Sequence, residues 1–145
     1  MNMNRNQHLI TAAMCFVMIV IFFPSALAQK QNAFILEHES DIAKNEPAPH
    51  NGNGMTTVYN YFSADSGSNL VFRKRVLHPG SEIGYHLQSK EEIYYILSGD
   101  GELKVNDTTY NVKTGDAILT HPGNYHGLKQ KGKDDLVVII DYTKQ

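Results

Sequence analysis

From Met55 onward, apolar and polar residues alternate in short runs separated by turn-forming residues. The runs Thr56–Phe62, Leu70–Leu77, Glu92–Leu97, Glu102–Val105, Thr108–Val112, Ala117–Thr120, Tyr125–Lys129 and Leu136–Tyr142 predict strands. Glycine, proline and Asn-Asp fall between them, and no helix-period stretch of useful length follows residue 55. Closely spaced strands of this kind argue for an all-β barrel or sandwich. Asn106-Asp107, between Leu103-Lys104-Val105 and Thr108-Thr109-Tyr110, predicts a two-residue hairpin turn. Leu136 to Ile140 is apolar at every position, as expected of a core or dimer strand buried on both sides.

The chain ahead of residue 55 has a different texture. Gln29 to Gly54 contains Asn45-Glu46-Pro47-Ala48-Pro49 and Asn51-Gly52-Asn53-Gly54, residues that favour turns. It predicts a loosely structured N-terminal arm, with room for a short helix around Ile35 to Ala43. Still earlier, Met1 to His8 is polar with Arg5 as its full positive charge, and Leu9 to Phe23 is almost wholly apolar. Pro24 then breaks the run, and Ala26-Leu27-Ala28 supplies a small-x-small cleavage pattern. These are the three parts of a secretory signal peptide. An uncleaved anchor is the alternative, but the apolar run is short for a span of about 20 residues. The expected organisation is a signal peptide over 1–28, an arm over 29–55 and a β domain over 56–145. The mature protein is expected in the periplasm or secreted, with no membrane association after cleavage.

Composition narrows the partners. In 145 residues, 41% are hydrophobic and 19% charged, with a net charge of −2. That is an ordinary globular composition without the basic footprint that nucleic acid requires. The single cysteine, Cys15, lies in the apolar run, so neither an internal disulfide nor a four-cysteine zinc site can form. A cysteine-free exported domain rests on its core, helped by a metal or by dimerisation. No phosphate-binding glycine loop is present.

The chemistry concentrates in two stretches. In Gly80 to Gly99, His86, Gln88 and Glu92 follow one another at separations of two and four residues. On an extended segment His86 and Gln88 face the same side. A strand starting at Glu92 and running back beside the first returns the carboxylate to that side. Gly115 to His126 ends in a second histidine after a glycine turn. Two neutral imidazoles, a carboxylate and an amide oxygen turned into a barrel make a first shell for a divalent ion.

These stretches resemble the two motifs of the cupin superfamily. The first, G-x5-H-x-H-x3-E-x6-G, is matched in every spacing by Gly80, His86, Gln88, Glu92 and Gly99, with Gln88 in place of the second histidine. The second, G-x5-P-x-G-x2-H-x3-N, is matched by Gly115, Gly123 and His126. His121 takes the proline position, with Pro122 one residue late, and Gln130 takes the asparagine position. The resemblance spans about Leu70 to Tyr142. It implies a double-stranded β-helix, the cupin or jelly-roll barrel, and places His86, Gln88, Glu92 and His126 at the four metal-ligand positions. The ion implied is divalent iron, manganese, zinc or nickel. Gln88 brings a neutral oxygen, a weaker donor than imidazole, so looser binding is expected than in a three-histidine site. The resemblance also implies a homodimer.

Two function classes follow. In the first, the metal holds an oxygen of a small organic molecule, and the protein is an oxygenase, isomerase or lyase. In the second, a non-catalytic cupin captures a sugar or an organic acid. Tyr94 shares the inward parity of Glu92 and is a candidate wall residue for substrate, a parity that also suits a packed core tyrosine. Within Arg73-Lys74-Arg75, either Lys74 or the arginine pair meets a bound ligand, since period two leaves both faces open. Glu91 and His78 are expected in solvent, His121 on the outer face or at the pocket mouth, and His38 and His50 on the surface of the arm.

Overall fold

A computed structural model describes residues 33–65 and 67–144. The signal-peptide reading of residues 1–28 lies outside them. After α1 (Glu39–Ile42) come β1 (Ala43–Pro47), β2 (Met55–Tyr61), β3 (Leu70–Leu77), β4 (Glu82–Leu87) and β5 (Glu92–Ser98). They are followed by β6 (Asp100–Val105), β7 (Thr108–Lys113), β8 (Ala117–Thr120), β9 (Tyr125–Lys131) and β10 (Leu136–Thr143). The strands make a six-stranded sheet in the order β1-β2-β3-β10-β5-β8 and a four-stranded sheet in the order β4-β9-β6-β7. All pairings are antiparallel. The fold is the all-β barrel that the strand pattern and the motif resemblance both predict.

Period two dictates which side chains fill it. On β5, Glu92, Tyr94 and Ile96 are buried while Ile93, Tyr95 and Leu97 are exposed. On β10, Leu136, Val138 and Ile140 face in. Together with Leu77, Ile83, Leu103 and Leu128, the buried Tyr94, Ile96, Leu136, Val138 and Ile140 form one core. Each fully buried apolar side chain contributes about 1.5–3 kcal/mol. Val105 and Thr108 pair directly, so Asn106-Asp107 is the predicted two-residue turn, with Asn106 at a left-handed φ of 50°. Gln130, buried in β9, accepts from Gly80 N–H and donates to the carbonyls of Lys131, Gly132 and Asp134. It stitches two loops together at the end of the barrel away from any chemistry.

Two strands differ from expectation. β1 has no alternating pattern and is mostly exposed, because it is an edge strand paired only with β2. The segment expected to be a loose arm is therefore ordered by backbone pairing from Ala43 to Pro47. β4 has no clean period because it carries a bulge. Ile83 pairs with Leu128 and His86 with His126, so three steps on β4 match two on β9. The extra residue resets the parity, and both Ile83 and His86 turn inward.

Glycines at 52 and 84 make this possible. A Cβ on Gly84 would lie 2.1 Å from the His50 carbonyl oxygen, and one on Gly52 would lie 2.0 Å from that of Glu82. Two backbones cross here closer than any side chain allows. Pro49 O accepts from both Gly52 N–H and Gly84 N–H at 3.1 Å. The arm is thereby clamped onto the bulged strand just ahead of His86.

Candidate metal centre

The bulge of β4, the first residue of β5 and the second residue of β9 converge. One ligating atom each from His86, Glu92 and His126 lies within 4.8 Å of the others. His126 is fully buried, Glu92 is 8% exposed and His86 is half-buried. Gln88 follows β4 and is held by its backbone: its N–H donates to Asn124 O and its carbonyl accepts from Gly123 N–H, both at 2.8 Å. It is buried and lines the same cavity as His86 and Glu92.

The hydrogen bonds behind the imidazoles decide what the free nitrogens can do. His86 Nδ1 lies 2.8 Å from Gly84 O. A carbonyl only accepts, so Nδ1 carries the proton and Nε2 keeps its lone pair. His126 Nδ1 lies 3.1 Å from Thr120 Oγ1; where the ring donates to that hydroxyl, Nε2 is left bare. His126 Nε2 and Glu92 Oε2 then face each other at 3.3 Å, both buried and without a hydrogen-bond partner among the described residues. In that tautomer the two are bare acceptors, and a cation between them would relieve their repulsion. The His86, Glu92 and His126 donors fit a divalent ion, with hydrogen bonds behind both rings holding them in place. Burial lowers the His86 pKa, with the neighbouring His126 adding to the effect and the Gly84 carbonyl opposing it. That keeps the ring neutral, as a ligand must be.

A cavity of about 220 Å³ opens over this cluster. Its walls include His50, Arg73, Arg75, Lys90 and Tyr94. Arg75 is 2% exposed at the middle of β3. It donates to Thr56 Oγ1 at 2.6 Å and to Glu46 Oε1 at 2.9 Å, while its Nε is buried without a partner. Burial pulls its pKa down and the Glu46 carboxylate opposes that. Arg73 donates to Asn60 Oδ1. Tyr94 is buried beside His126, its ring centroid 5.2 Å away. Its hydroxyl pKa is pushed well up, first by burial and then by the Glu92 charge, so it stays protonated.

Lys74 does not reach the cavity. It lies on the opposite face of β3, bonded to Glu39 and 4.0 Å from the centre of the Tyr59 ring. The arginine pair on either side takes the inward positions instead. His121 is exposed and bonded to Glu91, and His78 is tied to Asp135 and Thr57. His50 is the surprise. It is exposed, as expected of a surface residue of the arm, yet it stacks on His86 with ring centroids 3.4 Å apart and planes 1° from parallel. Burial, then the neighbouring His86, lowers its pKa. Its only signal in the sequence is the flanking Pro-rich and Gly-rich pattern that bends the arm back.

The architecture is that of a small two-sheet β-barrel protein with a buried His-Glu-His cluster of metal-ligating type under a charged cavity. Comparison with known proteins makes this specific: the Cupin domain family matches residues 74–141, and the chain belongs to the cupin superfamily. It is 34% identical over 88 residues to an oxalate-binding protein from Thermotoga maritima, an alignment covering 59% of this chain and 73% of that one. It is 33% identical over 67 residues to a 5-nitrosalicylic acid 1,2-dioxygenase from a Bradyrhizobium species, covering 46% of this chain and 32% of that protein. The chain thus spans about a third of the dioxygenase. Among solved structures, a protein described as a predicted oxalate decarboxylase from Thermotoga maritima aligns with a TM-score of 0.69 at 27% identity, over 77% of this chain and 100% of that one. A polyketide cyclase from Streptomyces resistomycificus shares the fold, with a TM-score of 0.66 at 21% identity over 77% of this chain and 80% of that one.

Proposed function

We propose that this cupin holds a divalent metal ion on His86, Gln88, Glu92 and His126 and binds a small carboxylate anion upon it. The observation that carries the reading is the buried Arg75, which lines the cavity that His86 and Glu92 also line. Arg73 and Lys90 add positive charge to the same wall. With an ion in place, these charges exceed those of Glu92 and Glu46, so a neutral sugar leaves them uncompensated while a carboxylate balances them. Size agrees. Drug-sized ligands occupy roughly 300–1,000 Å³, and about 220 Å³ shared with an ion leaves room for an anion of oxalate's dimensions. The relationship to an oxalate-binding protein supports the same ligand class.

A divalent ion held by these residues would supply Lewis-acid polarisation of the ligand's oxygens. Arg75 and Arg73 orient the far carboxylate, and Tyr94, kept protonated, offers a hydroxyl at the wall. The test uses protein purified without chelators. Elemental analysis is expected to give one manganese, iron, nickel or zinc per chain, and calorimetry to show oxalate binding that disappears on metal removal. Metal-independent oxalate binding, or none, overturns the reading. Carbon dioxide released from labelled oxalate separates conversion from capture.

Export and pairing belong to the same proposal. Residues 1–28 carry the signal pattern, and Ile93, Tyr95, Leu97 and Leu119 leave an apolar strip on the outer sheet face suited to a second copy. Intact-mass spectrometry of the exported protein is expected to place the first residue at Gln29, and light scattering to give twice the chain mass. A retained Met1 rejects export by cleavage, and the mass of one chain rejects the dimer.

A further inference from the structure

His50 is the cavity residue that the function above leaves without a role. The arm delivers it to the site, and its position is enforced. Its backbone sits at a left-handed φ of 56°, and the crossing of Gly52 and Gly84 fixes the loop on either side of the bulge. Among the described residues, neither ring nitrogen has a hydrogen-bond partner. The ring lies flat on His86, so the in-plane lone pairs of the two rings lie in parallel planes, with centroids 3.4 Å apart. An ion about 2 Å from His86 Nε2 along that ring's axis is off the axis of His50. This agrees with a cluster that His86, Glu92 and His126 complete without it. His50 lines the cavity in which a ligand of that ion must sit.

We infer that His50 is a specificity-determining residue of the anion subsite, donating a ring N–H to a carboxylate oxygen of the metal-held ligand alongside Arg73 and Arg75. This rests on the carboxylate reading above. The arm thus supplies the histidine donor that the motif lacks at Gln88, directed to the ligand and not to the metal. A carboxylate with a second acceptor oxygen facing the arm gains from it, while a monocarboxylate such as acetate does not.

The test compares His50→Phe and His50→Asn with the parent, all as full-length manganese-loaded protein, by oxalate calorimetry, metal content and thermal unfolding. His50→Phe keeps a flat ring over His86 and removes the N–H. His50→Asn suits the left-handed backbone and withdraws the donor by most of the ring's length. Both are expected to keep one metal per chain and to bind oxalate about tenfold more weakly, with acetate affinity unchanged. If His50→Phe does not fold, His50→Asn decides alone. Unchanged oxalate affinity in a folded variant overturns the role of His50 and leaves the carboxylate reading standing. Loss of the metal also overturns it, by assigning His50 to ion binding. If the parent itself binds no oxalate in either metal state, the carboxylate reading fails and the inference with it.

Discussion

Replacing His126 with alanine is expected to weaken metal binding by more than about 100-fold. Altering a partner behind a ligand typically costs 10–100-fold in metal affinity, and His126 is itself one of the converging donors. Its Nε2 faces Glu92 Oε2 at 3.3 Å, fully buried. Without that nitrogen an ion keeps His86, Glu92 and the neutral Gln88 oxygen, a set with one imidazole and no way to fill the buried side. Thr120→Val provides the graded companion. It removes the hydroxyl that holds His126 Nδ1 while leaving the ring, so a loss of about 10–100-fold is expected. Manganese titration of stripped protein measures both. Stability gives a second readout, because an ion that binds only the folded state raises the unfolding midpoint. Added manganese is expected to raise that midpoint in the parent, less in Thr120→Val and not in His126→Ala. Parent-like manganese affinity in His126→Ala places the centre elsewhere.

The parts of this molecule legible in the sequence are those where period two runs unbroken. β3, β8 and β5 begin where the alternation predicts, and Glu92, Tyr94 and Ile96 share the inner face as parity requires. The ligand spacing was legible because motif positions carry the bulge implicitly: His86 is placed by the resemblance, whereas strict alternation from Ile83 would turn it outward. What stayed hidden depends on contacts between distant segments. Neither face of Arg73-Lys74-Arg75 is more polar than the other by parity. The choice is made by Glu46 on β1 and Thr56 on β2, which satisfy an inward Arg75, and by Glu39 on α1, which meets an outward Lys74. Both carboxylates come from the segment whose composition reads as a loose arm. His50 was hidden for the same reason. Its place on His86 follows from a backbone crossing at two glycines, and a glycine in a turn-rich segment looks the same whether it ends a loop or admits a neighbouring strand.

Arg75→Met is expected to separate anion binding from metal binding. Methionine nearly matches the volume of the stem and lies comfortably in a core, so the β3 position remains filled. Losing hydrogen bonds to a charged group costs about 1.5–3 kcal/mol. For a carboxylate held by Arg75, that corresponds to an affinity loss of about 10–100-fold, with metal content unchanged. Lysine does not substitute, because a point charge cannot serve Thr56, Glu46 and a ligand together as the guanidinium fork does. Arg75→Lys is therefore expected to lose most of the same affinity. The folding cost is smaller than for a fully buried pair. Glu46 is 41% exposed at its side chain, so water rehydrates the carboxylate once the arginine is gone, and Thr56 is the partner left buried. The Thr56 hydroxyl keeps its bond to the Glu46 carbonyl, and a fall of about 1–2 kcal/mol in unfolding free energy is expected from the lost bonds to the guanidinium. Oxalate calorimetry on metal-loaded protein reads the first effect and denaturant unfolding of the stripped protein reads the second. Full oxalate affinity in a folded Arg75→Met chain would remove the charge argument on which the ligand class rests, leaving the metal centre intact and its substrate to be sought among neutral molecules.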